Sequence, residues 1–156
     1  MKNIHDPIAI KRKLFSKCLQ YVEERINSSK QAMEEAQQAA NKEGKSSVGD
    51  KYETTRAMMQ IERDKSAKQL AEALKLKKVL DQMNPDKKTE EITLGSLVQT
   101  SNGNFYFAIS MGKVLVDNTE VFVISPVSPI GKKLSGLKAG GVVEMNSREF
   151  KVERVI

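Results

Sequence analysis

The chain has 156 residues, 39% hydrophobic and 29% charged, with no Trp, which suits one domain or two small ones. Its formal net charge of +6 is spread, with 17 basic against 13 acidic residues in 1–86 and 9 against 7 in 87–156. That favours an acidic or polyanionic partner but lacks the dense basic face of a dedicated DNA binder, so direct nucleic-acid contact is secondary. Cys18 is the only cysteine and His5 the only histidine, which argues against a disulfide framework, a Cys-based metal site and a His-dependent catalytic triad.

In chain order, "MKNIHDPIAIKRK" lacks the apolar run of a signal peptide, and no later stretch could span a bilayer. The expectation is a cytoplasmic monomer without membrane contact. Asp6-Pro7 reads as a helix start, Asp capping and Pro in the first turn. Phe15, Leu19, Val22, Ile26, Ser29, Met33, Ala36 and Ala40 then alternate in steps of four and three, the 3.5-residue repeat of a coiled-coil seam. The segment from Gly44 to Gly49 is small and polar, a turn after a first helix near Pro7 to Glu43. A second helix, Tyr52 to about Leu80, carries a broader stripe that includes Met58, Met59, Ile61, Ala73 and Leu74. Two such helices joined by a short loop must run antiparallel. The expected first domain is therefore a coiled-coil hairpin over residues 1–84, with its tip at about 44–50.

"MNPDKKTEE" ends the second helix, and residues 85–91 read as a linker. The period then changes to two. Ile92 to Thr100, Phe105 to Ser110, Val121 to Ile124, Val142 to Met145 and Phe150 to Val155 are predicted strands, with turns at Ser101–Asn104 and Asn146-Ser147. A helical turn is expected from Ile130 to Ser135, closed by Gly136. The second domain, residues 92–156, is then a small β-rich unit, and the fold class is α+β in two domains. Phe105, Tyr106, Phe107, Phe122 and Phe150 read as its core. No phosphate-binding glycine loop or catalytic motif is present, so the chain is not expected to be an enzyme or to carry a cofactor of its own.

Two strings, "GDKYETTRAMMQIE" after the turn and "VISPVSPIGKKLSGLKAGGVVEMNSREFKVERV" near the C-terminus, carry a family resemblance. In this order, around a long hairpin, they resemble the Gre-type (GreA/GreB-like) transcription elongation factors. The closest motif likeness lies at Ser128-Pro129-Ile130-Gly131, Leu134, Gly136, Gly140-Gly141 and Val142 to Glu144, and in Tyr52, Thr54, Thr55 and Arg56. The resemblance implies an FKBP-like C-terminal domain docking on bacterial RNA polymerase through Ser128, Pro129 and Ile130, with the hairpin entering the secondary channel. It also implies two acids at the tip that help hold Mg in the polymerase active site, where carboxylates bind the hard cation that activates a water.

Matching on Tyr52 puts Lys45 and Val48 at those two acidic positions, so this chain is a divergent member of the pattern. A lysine ammonium opposes metal binding and valine offers no oxygen. The expected function is modulation of elongation or pausing without classical cleavage stimulation. One alternative is cleavage with Asp50 and Glu43 or Glu53 as displaced Mg ligands, although Asp50 as N-cap and Glu53 as its capping-box partner would explain both acids structurally. A second alternative, of another class, is a coiled-coil adaptor or chaperone-like module. Prolyl isomerase activity does not follow from an FKBP-like fold.

Overall fold

The computed structural model describes residues 3–45 and 49–156, with the side chains of 43–52 outside that description. The chain is α+β: two long helices, α1 (Pro7–Lys45) and α2 (Gly49–Asp81), precede six strands and one short helix. The strands are β1 (Leu97–Thr100), β2 (Gly103–Phe107), β3 (Gly112–Val116), β4 (Thr119–Ile124), β5 (Val142–Met145) and β6 (Arg148–Val155), with α3 (Pro129–Leu134) between β4 and β5. The chain divides into two compact units, Gln20–Lys78 and the combination of Met1–Leu19 with Val79–Ile156.

The Gln20–Lys78 unit is the body of a hairpin. α1 and α2 have 39 and 33 residues, about 58 and 50 Å at about 1.5 Å each. Ala36 and Ala40 line one small hollow with Arg56, Met59 and Arg63, so the late part of α1 faces the early part of α2 and the helices run antiparallel. On α1 the buried line is Val22, Ile26, Ser29 and Ala36, with Met33 and Ala40 half-buried, as the 3.5 repeat predicts.

The second helix corrects the sequence reading. Its buried positions are Ser66, Ala73 and Leu80, spaced by seven, with Thr55, Met59 and Leu70 half-buried beside them. Met58, Ile61 and Leu74, expected in the stripe, lie on the exposed side. Two of its three buried positions, Ser66 and Ala73, are small, so hydrophobicity alone did not trace the seam. Small side chains let two helices approach closely without a third to cover them.

In the other unit the strand order is β3-β4-β2-β1-β6-β5, antiparallel except for the parallel β2–β4 pair. Cross-strand partners share a face, so Val98↔Phe105, Phe105↔Phe122 and Val143↔Phe150 direct one set of side chains to the same side. There Phe105, Phe107, Phe150, Val98 and Val152 form the core with Ile92 and with Leu134 of α3. Phe122 stacks near Phe105, 5.7 Å between centroids, but is partly exposed rather than the core residue expected. On the opposite face Tyr106 is buried beside Cys18 of α1.

Within this unit the buried line of α1 is Ile10, Leu14 and Cys18. Phe15 and Leu19, which the seam predicts, are only half-buried there. The early turns pack an i, i+4 row, and the 3.5 repeat takes over from Val22.

Local chemistry sets the ends. The Asp6 carboxylate accepts from Ala9 N at 3.1 Å and caps α1, as expected. α2 already begins at Gly49, so Asp50 lies inside its first turn instead of capping it. Strand β3 was not foreseen. It joins β4 through Asp117-Asn118, both at positive φ, as are Asn146-Ser147 between β5 and β6. Each is a two-residue hairpin turn without glycine.

Candidate functional site

Two regions carry the expected function, and the structure describes them unequally. At the hairpin end, Lys45 closes α1 and Gly49 opens α2. Val48 and the side chains of Glu43, Lys45 and Asp50 lie outside the described residues. Glu53 is exposed in the second turn of α2. Among the described residues no three His, Cys, Asp or Glu side chains come together as a metal site, and no helix is long and apolar enough to cross a membrane.

The second region is the loop from Ser125 into α3. Ser128 has extended backbone (φ −65°, ψ 160°), and its hydroxyl accepts from Gly131 N at 3.2 Å while donating to Ser125 O at 2.6 Å. Ser125 Oγ accepts from Val127 N at 3.2 Å, and Ser125 O also accepts from Ser128 N at 3.0 Å. A β-carbon on Gly131 would overlap the Ser125 carbonyl oxygen and fall 2.7 Å from Ser128 Oγ, so only glycine fits there. The C-terminal end of α3 is held by Ser135, whose amide and hydroxyl donate to Gly131 O at 2.9 and 2.7 Å. The loop is braced because the Ser125 and Ser128 hydroxyls, the Ser125 carbonyl and the amides of Val127, Ser128 and Gly131 are all paired within it.

Of the three residues singled out from the sequence, Ser128 is taken up by these bonds and Ile130 packs against the core. Pro129 opens α3 and is exposed. Val127, which sequence reasoning missed, is 72% exposed, and Lys132 is exposed without an ion pair among the described residues. The neighbouring cations are engaged: Lys133 Nζ donates to Glu144 O at 2.8 Å, and Lys138 lies 3.6 Å from Glu91. The repeated Ser-Pro of "SPVSPIG" was the available signal for a braced loop, with Val127 at its apex.

No family model matches the sequence, and no curated protein matches it. Among solved structures, that of the transcription factor Gfh1 is similar over 90% of this chain and 92% of that one, at 19% identity and a TM-score of 0.32.

Proposed function

We propose that the chain is an accessory factor of bacterial RNA polymerase, not itself an enzyme. It docks its FKBP-like sheet unit through the loop at Ser128, Pro129 and Ile130 and inserts the hairpin into the secondary channel. There it modulates elongation or pausing, with Lys45 and Val48 presented where a cleavage factor would present metal-binding acids. The observation that carries this reading is the hairpin itself, about 50 Å of paired helix with only three residues between the end of α1 at Lys45 and the start of α2 at Gly49. An arm of that length and thinness suits reaching into a passage, and the resemblance supplies the passage.

The test is binding of the purified chain to bacterial core RNA polymerase, with competition by another secondary-channel factor and a cleavage assay on backtracked complexes. No binding at micromolar concentration would sink the reading. Cleavage lost in Asp50→Asn would replace it with the displaced-ligand alternative.

A second reading has one observation in its favour. Met58 and Ile61, 58% and 65% exposed and three residues apart on α2, put apolar surface on the outside of the arm, as an adaptor or holdase would. Suppression of client-protein aggregation, lost in Met58→Glu with Ile61→Glu, would support it over the polymerase reading.

A further inference from the structure

We infer that Val127 and Lys132 are the anchor of the docking loop, Val127 entering an apolar hollow on the polymerase and Lys132 meeting a carboxylate at its rim. The inference rests on the polymerase reading and assigns the contact chemistry that the reading leaves open.

Three features of the segment converge. First, the loop is over-determined: four hydrogen bonds among Ser125, Val127, Ser128 and Gly131 fix it, and the space at Gly131 admits no side chain. Interactions of this density hold a backbone in its bound shape before any partner arrives, which lowers the ordering cost of association. Second, what the bracing displays is apolar. Val127 is more exposed than any other large hydrophobic among the described residues, and exposed Pro129 follows two residues later. The serines, which could have faced water, turn inward to the backbone instead.

Third, the charge beside this apex is unspent. Lys132 lies three residues after Pro129 in α3, so the two share a helix face. Its neighbours Lys133 and Lys138 are held by Glu144 O and Glu91, while Lys132 has no ion pair among the described residues. In a chain of net charge +6, a cation next to an apolar contact selects a partner surface that is apolar at the centre and acidic at the edge. Such a rim charge acts mainly on encounter and register, and its effect fades with salt.

The experiment is a titration of the full chain against bacterial core RNA polymerase at low and at raised salt. Val127→Ala is expected to weaken binding about 5-fold at either salt, and Val127→Asp about 20-fold or more. Lys132→Glu is expected to weaken it roughly 5-fold at low salt, the difference shrinking as salt rises. Lys151→Glu, another exposed cation of the same unit, serves as control and should bind within about 2-fold of the parent. Val127→Ala carries the test even if the aspartate variant fails to fold. A parent chain that binds while Val127→Ala and Lys132→Glu bind equally well would overturn this inference and leave the polymerase reading intact. A parent chain that does not bind overturns both.

Discussion

The ammonium of Lys11 lies 2.7 Å from the carbonyl oxygen of Lys87, a hydrogen bond from the second turn of α1 to the segment that follows α2. One residue along, Arg12 pairs with Asp86 at 2.5 Å. Lys11 Nζ also donates to Ile156 O at 3.1 Å, and its side chain is fully buried. The Thr89 and Ser96 hydroxyls are hydrogen-bonded at 2.6 Å, and Ser96 Oγ also accepts from Thr93 N at 3.0 Å. The segment 85–91, read from the sequence as a linker, is thus held by Lys11 and Arg12 at one end and by Thr89 on Ser96 at the other.

Stability should rise with pH just above neutrality, then turn. Burial pulls Lys11 from 10.5 down to about 8, with Asp86 opposing. Between those values the unfolded chain keeps a proton that the folded chain has lost, so the Lys11 contribution to stability grows with pH. Cys18 acts in the opposite sense. Burial pushes its thiol from 9.0 up to about 12, so its contribution is complete below 9 and is lost as pH rises through that window. Tyr106, raised from 10.0 by burial and by Cys18, adds a further loss at higher pH. Urea midpoints should therefore climb from about pH 8 to about pH 9, level off while the Lys11 gain and the Cys18 loss cancel, and fall above about pH 10. Lys11→Met should remove the climb and Cys18→Ala should soften the fall. A climb that survives in Lys11→Met would show that another group causes it.

Gly131→Ala should cost about 2 kcal/mol, because its methyl group meets the Ser125 carbonyl, a backbone atom that cannot swing aside. Thermal melting would read this as a drop of several degrees. The same variant displaces Val127, so polymerase binding should weaken more than stability alone accounts for. A melting midpoint equal to that of the parent would mean the loop relaxes freely and is not the braced element described.

The hairpin seam predicts a contrast along α2. Met58→Glu and Ile61→Lys, on the exposed side, should change stability by less than about 0.5 kcal/mol. Ala73→Glu, at a fully buried seam position, should cost more than about 3 kcal/mol by trapping an unpaired charge between helices. Chemical denaturation of the three variants decides it: comparable losses at Met58 and Ala73 would restore the broad stripe drawn from hydrophobicity.

These contrasts mark what sequence could and could not reveal. The α1 seam from Val22 to Ala40 was legible because its larger residues recur at the period that burial demands. The α2 seam was not, since Ser66 and Ala73 are chosen for size while Met58 and Ile61, apolar but outward, dominate any hydrophobic count. β5 and β6 were announced by Asn146-Ser147 and by alternation. β3 was hidden because Gly112, Lys113 and Leu115 are all exposed on an edge strand, leaving no alternating pattern. At the loop before α3, the motif singled out Ser128 and Ile130, which build the loop, and Pro129, which is exposed. The other outward residues, Val127 and Lys132, could be told apart only by burial.

The tip offers a gain-of-function test that does not depend on describing its side chains. Lys45 and Val48 stand at the two positions where the resemblance expects carboxylates. If the hairpin reaches the polymerase active site, what it lacks for cleavage is oxygen ligands for a divalent cation, not reach. Lys45→Asp combined with Val48→Glu should then raise cleavage of backtracked transcripts at least about 10-fold over the parent, because it removes a repelling ammonium and supplies two acids together. Either change alone should do much less, since one carboxylate beside a lysine or a valine completes no site. Binding to core polymerase should stay within about 2-fold of the parent for all three variants, the contact being made elsewhere. Unchanged cleavage in the double variant, with binding intact, would mean that the tip stops short of the active site and that the factor acts from farther out in the channel.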